Sequence, residues 1–69
     1  MKRAELFATL KEANQIVDKM ATVDENSKAY DDLSDTLYYT LESITIGYHP
    51  WYSVLLSERT GHYYIKFAA

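Results

Sequence analysis

Apolar residues recur every three or four positions through the first two-thirds of the chain and every second position near its end. Between Arg3 and Ala21, the residues Leu6, Leu10, Ala13, Val17 and Met20 are spaced 4, 3, 4 and 3. At 100° per residue they form a narrow seam that Phe7 and Ile16 widen, with Lys11, Glu12, Gln15, Asp18 and Lys19 on the opposite face. This pattern predicts an amphipathic helix over about residues 3–21. The seam covers only about two heptads, too few for a free-standing coiled coil.

Residues 22–27, Thr-Val-Asp-Glu-Asn-Ser, concentrate turn-forming and cap-forming side chains where the seam stops. Thr22 with Glu25 matches a capping box, and Asn26 and Ser27 also qualify as N-caps. A connection this short turns a second helix back antiparallel to the first. Its apolar stripe is Tyr30, Leu33, Leu37, Leu41 and Ile44. Asp31 and Asp32 fall in its first turns, where carboxylates complement the helix dipole. Ile46 would point to the acidic face, and the β-branched run Ile44-Thr45-Ile46 precedes Gly47. The second helix is therefore expected over about residues 27–44, with Gly47-Tyr48-His49-Pro50 as a bend and residues 44–48 as a candidate short third strand.

The period then changes to two. Tyr52, Val54 and Leu56 alternate with Ser53, Leu55 and Ser57, and Tyr63, Ile65 and Phe67 alternate with His62, Tyr64 and Lys66. Glu58-Arg59-Thr60-Gly61 separates the two runs, so a β-hairpin over about residues 51–67 is expected. The implied register pairs Leu56 with Tyr63, Val54 with Ile65 and Tyr52 with Phe67 on an apolar face, and Leu55 with Tyr64 and Ser53 with Lys66 on the other. An isolated hairpin is marginal in water, so the helices should cover its apolar face. The expected fold is α+β, two antiparallel amphipathic helices followed by a C-terminal β-hairpin in one domain.

Composition adds a shortage of core. Sixty-nine residues, 48% of them hydrophobic, suit a small folded domain, but one of this size buries only about 60% of the surface its unfolded chain exposes. There is no Cys to supply a disulfide or a thiolate metal site. Seven Tyr, two Phe and one Trp exceed what a two-layer domain of this size buries well. The surplus predicts burial against another surface, a second copy of the chain or a different protein.

Net charge is −3. Residues 1–47 carry five basic and nine acidic side chains, net −4, while the last 22 carry two basic and one acidic, net +1. The acidic helical part should be repelled by phosphate backbones. No uncharged apolar run approaches the roughly 20 residues a bilayer span needs, and no apolar signal-peptide core follows Met1-Lys2-Arg3. A soluble, cytoplasmic protein without a membrane partner is expected.

Catalysis finds little support. The chain has neither a nucleophile elbow nor a Gly-rich phosphate loop nor a zinc-binding H-E-x-x-H, and His49 and His62 are the only bases that titrate near neutrality. Those two histidines and scattered carboxylates have no metal-ligand spacing. No enzymatic activity, cofactor or metal is expected. The second helix offers a more specific candidate: Asp32, Asp35, Tyr39 and Glu42 are spaced 3, 4 and 3, with Asp31 and Lys28 beside them and Tyr38 at the edge of the core stripe. Tyr suits interfaces and a ring of carboxylates steers a positive surface, so this stripe is the expected docking site for a basic protein partner. Two alternatives remain at this stage. One is single-stranded nucleic-acid binding on the hairpin's outer face, with His62 and Tyr64 stacking on bases and Arg59 and Lys66 near phosphates. The other is an acidic mimic of nucleic acid, for which −3 is a small charge.

Overall fold

The computed structural model describes residues 2–68. Two helices, α1 (Arg3–Met20) and α2 (Lys28–Thr45), precede two strands, β1 (Tyr52–Leu56) and β2 (Tyr63–Phe67). The arrangement is α+β, an antiparallel two-stranded hairpin laid on a helical pair.

Ser27 resolves the choice of N-cap for α2. Its hydroxyl accepts from the Tyr30 amide at 3.2 Å and donates to the Asp24 carbonyl at 2.6 Å, while the Asp24 carboxylate accepts the Asn26 amide at 2.9 Å. Thr22 instead donates to the Lys19 carbonyl at the end of α1. At its other end α2 runs through Ile44 and Thr45, stops at Ile46 in extended conformation, and passes into Gly47 at φ +86°. A left-handed φ is costly for residues with a Cβ, hence glycine. Residues 46–48 pair with no strand, so the sheet keeps two strands and the candidate third strand near 44–48 does not form. The terminal carbonyls of α2 find other partners: Leu41 accepts from the Thr45 hydroxyl, Glu42 from the Ile46 amide, and Ile44 from the Tyr52 hydroxyl. These bonds satisfy groups that a helix end leaves without intrahelical donors.

The hairpin has the expected register, from Tyr52 opposite Phe67 to Leu56 opposite Tyr63. Its turn closes through Ser57, whose amide donates to the His62 carbonyl and whose carbonyl accepts from the Gly61 amide. Leu6, Ile44 and Tyr52 form the buried centre, flanked by Leu41, Trp51, Val54, Ile65 and Phe67.

The core of α1 is the part of the seam at Leu6 and Ala13 together with Ile16 from its flank. Leu6, Ala13 and Ile16 are buried, whereas Leu10, Val17 and Met20 are half-buried and Phe7 is exposed. The reason is that β2 packs along one flank of α1. Arg3 lies over the Phe67 ring at 4.4 Å, and Phe7 meets the same ring edge-on with centroids 5.9 Å apart. Asn14 bonds to both peptide groups of Tyr63, and Asp18 reaches His62. Arg3, Phe7, Asn14 and Asp18 are spaced 4, 7 and 4, which puts them on one face of a helix.

Candidate functional site

The N-cap at Ser27 fixes where α2 begins, and the stripe Tyr30, Leu33, Leu37, Leu41 and Ile44 fixes which way it faces. Ile44 is buried and the other four are half-buried. The opposite side therefore looks outward and carries Lys28, Asp31, Asp32, Asp35, Tyr38 and Tyr39, all exposed, with Glu42 half-buried at its end. Tyr38 and Tyr39 are 66% and 69% exposed and meet edge to face at 5.7 Å between centroids. Two neighbouring aromatic rings packed on one another and otherwise open to water are a preformed apolar contact, since little side-chain freedom is left to lose on binding.

The carboxylates on this face make no ion pair among the described residues. Among the described residues the one ion pair joins His62 Nε2 to Asp18 Oδ1 at 2.7 Å, so Asp31, Asp32, Asp35 and Glu42 have no cationic side chain within 4.0 Å. A helix face with four unpaired carboxylates and a single Lys presents a negative field to whatever approaches.

Of the expected docking residues, Asp32, Asp35 and Tyr39 stand together on the exposed face and Glu42 lies at its margin. Tyr38, read from the sequence as an edge residue, joins them fully. The 100° step from Tyr38 to Tyr39 carries both rings clear of the core stripe, because Leu37 and Leu41 occupy the side facing the hairpin.

The second candidate set is more dispersed. Tyr64 is 45% exposed on the outer face of the hairpin, across from Leu55, and Lys66 and Arg59 are exposed. His62 is half-buried and its ring turns to Asp18 of α1. A carboxylate 2.7 Å from the imidazole opposes the approach of a phosphate. His49 lies beside Tyr52, ring centroids 4.8 Å apart, and its Nε2 donates to the Ile46 carbonyl at 2.7 Å. No group of three or more His, Asp or Glu among the described residues could hold a metal ion. No described helix is long and apolar enough to cross a membrane.

Two concave regions accompany these surfaces. One of about 370 Å³ lies between the hairpin tip and the far half of the helical pair, and one of about 270 Å³ lies between the end of α2 and β1. Comparison of the chain with protein families, with curated proteins and with solved structures finds no match.

Proposed function

We propose that this chain is a non-enzymatic protein-interaction module whose outward α2 face docks on a basic surface of another macromolecule, regulating or inhibiting it by occupying that surface. The reading rests on one observation: Tyr38 and Tyr39 are packed on each other, exposed, and share their helix face with carboxylates that make no ion pair within 4.0 Å. The aromatic pair supplies apolar contact area at low entropic cost, and the carboxylates supply orientation and rate of encounter. Rim charges of this kind act chiefly on association rate and its salt dependence.

The test compares affinity capture from the native cell by the parent chain, by Tyr38→Ala/Tyr39→Ala and by Asp32→Lys/Asp35→Lys/Glu42→Lys. The parent should retain a basic protein that salt releases, and both variants should lose it while keeping the parent's circular dichroism spectrum. Capture unchanged in both variants overturns the assignment. Retention of nucleic acid by the parent chain, lost on Tyr64→Ala/Lys66→Ala, would move the site to the hairpin.

A further inference from the structure

We infer that the outer edge of β1 accepts an extended, basic peptide segment of another protein as a third strand of the sheet. The Ser57 amide donates to the His62 carbonyl, and the Ala68 amide donates to the Trp51 carbonyl. These two bonds bracket the ladder from Tyr52 opposite Phe67 to Leu56 opposite Tyr63 and fix its alternation. Trp51, Ser53, Leu55 and Ser57 turn their peptide groups toward β2, while Tyr52, Val54 and Leu56 turn theirs away. Among the described residues, the amides and carbonyls of those three have no hydrogen-bond partner. They form a row of donors and acceptors at strand spacing, which an extended backbone matches group for group.

The two edges of the hairpin differ. Natural sheets blunt an open edge with charge, proline, a bulge or a covering element. On β2, Asn14 of α1 takes both peptide groups of Tyr63, and Lys66 adds a charge. β1 reads Tyr-Ser-Val-Leu-Leu, with no charge and no proline, and its register runs without a bulge. A cavity of about 270 Å³ opens along the first half of this strand, bounded by Ile44 and Thr45 of α2 and by Gly47 and His49 of the bend. Side chains of an added strand alternate between its faces, so one on the helix-facing side enters the cavity. The lining carries no carboxylate, ammonium or guanidinium, which suits an aliphatic side chain there.

The basic character follows from α2. Leu41 packs on the hairpin core, and Thr45, Tyr38 and Glu42 follow it round the helix at about 40°, 60° and 100°. Leu33 and Thr40, on the other flank of Leu41, are half-buried while Tyr38 is exposed, so α1 lies on their side and the flank of Thr45, Tyr38 and Glu42 lies below the free edge of β1. Measured from Thr45, Glu42 and Asp35 are about 4.5 and 15 Å along the helix. Successive helix-facing side chains of a strand are about 7 Å apart. With one such side chain in the cavity beside Thr45, the next two come near Glu42 and Asp35, carboxylates that make no ion pair among the described residues. Lys or Arg at those two positions is attracted, and Asp or Glu is repelled. The β1 edge of a second copy fits less well, since antiparallel pairing would set two acidic α2 faces on the same side of one sheet. The basic sequence of the segment rests on the docking reading above, whereas the strand pairing does not.

Amide hydrogen exchange of the full chain, read by NMR with a synthetic peptide present, tests this. The probe is the capped peptide Lys-Thr-Lys-Thr-Val-Thr-Lys-Thr-Lys, which offers valine to the cavity and lysines to α2 in either strand direction. At saturation it should slow exchange at the Val54 and Leu56 amides about tenfold or more. N-methylation of its valine and the two nearest lysines should abolish that protection, while N-methylation of the threonines should not. The same peptide with Glu for every Lys should bind about tenfold more weakly or worse. Binding of the lysine peptide without slower exchange at Val54 and Leu56 overturns strand addition and leaves the acidic face as the docking site. Equal protection by both peptides overturns the basic partner and, with it, the docking reading. No protection by either peptide at millimolar concentration overturns the inference, as does protection in the chain alone that grows with its own concentration, which would place a second copy on the edge.

Discussion

The carboxamide of Asn14 brackets the peptide of Tyr63: Nδ2 donates to the Tyr63 carbonyl at 3.0 Å, and Oδ1 accepts the Tyr63 amide at 2.7 Å. Tyr63 opposes Leu56 in the ladder, next to the pair Ser57 and His62 whose amide and carbonyl bond across the strands. Alternation in an antiparallel ladder then turns both peptide groups of Tyr63 away from β1. The side chain of Asn14 acts there as one residue of a neighbouring strand, and it fixes the hairpin at a defined height along α1.

Asn14→Ala should leave this donor and acceptor half-buried without protein partners and cost about 1–3 kcal/mol. In a domain of this size each kcal/mol lowers Tm by roughly 4–8 °C. Asn14→Asp keeps the acceptor but sets a carboxylate against the Tyr63 carbonyl, so it should not recover the loss. Denaturant unfolding followed by the fluorescence of Trp51, the single Trp, measures both. Parent-like stability in Asn14→Ala would show that the bracket contributes nothing.

Tyr52 is buried, and its hydroxyl donates to the Ile44 carbonyl at the end of α2. Burial pushes its phenol above the ordinary 10.0, because desolvation disfavours the phenolate. The sign follows from linkage: above about pH 10 the unfolded chain releases this proton while the native chain retains it, so stability is present below that pH and lost as pH rises. Tyr52→Phe should cost about 0.5–1.5 kcal/mol at neutral pH through the missing hydrogen bond, and its stability should fall less steeply than the parent's above pH 10. Parallel stability–pH curves would contradict the assignment of Tyr52 to the alkaline transition.

Much of this architecture is legible in the residue pattern, because period and punctuation carry it: the switch from 3.6 to 2 after Pro50, the cap residues of 22–27, and the four-residue hairpin loop ending in Gly61. The attachment of the hairpin is not. Arg3, Phe7, Asn14 and Asp18 read as two charges, a flanking aromatic and a polar residue, since their common role depends on a strand some fifty residues away. Their 4, 7, 4 spacing is the available signal, and it means little until β2 is placed beside it. The acidic stripe was readable because it is local to one helix.

The pair His62–Asp18 is 43% and 66% exposed at its side chains. Such pairs contribute about 0–1 kcal/mol. A double-mutant cycle of Asp18→Asn and His62→Gln should therefore give a coupling below about 1 kcal/mol, smaller than the loss at Asn14. A larger coupling would make the ion pair, rather than the Asn14 bracket, the principal tie between α1 and the hairpin tip.

Gly61 closes the hairpin at φ +75°, and a Cβ built there meets no atom within 4 Å. A side chain at this position is thus opposed by backbone conformation alone. Gly61→Ala should cost about 1–2 kcal/mol, the penalty of holding an L-residue in the left-handed region. D-alanine prefers positive φ, so the same methyl group in mirror-image configuration fits the native turn while restricting the unfolded chain. It should raise stability by about 0.4–1 kcal/mol. A chain of 69 residues is within reach of chemical synthesis, and thermal unfolding of the two diastereomers isolates backbone conformation from every side-chain contact. Equal destabilisation by both alanines would mean that something other than the sign of φ selects glycine at this turn.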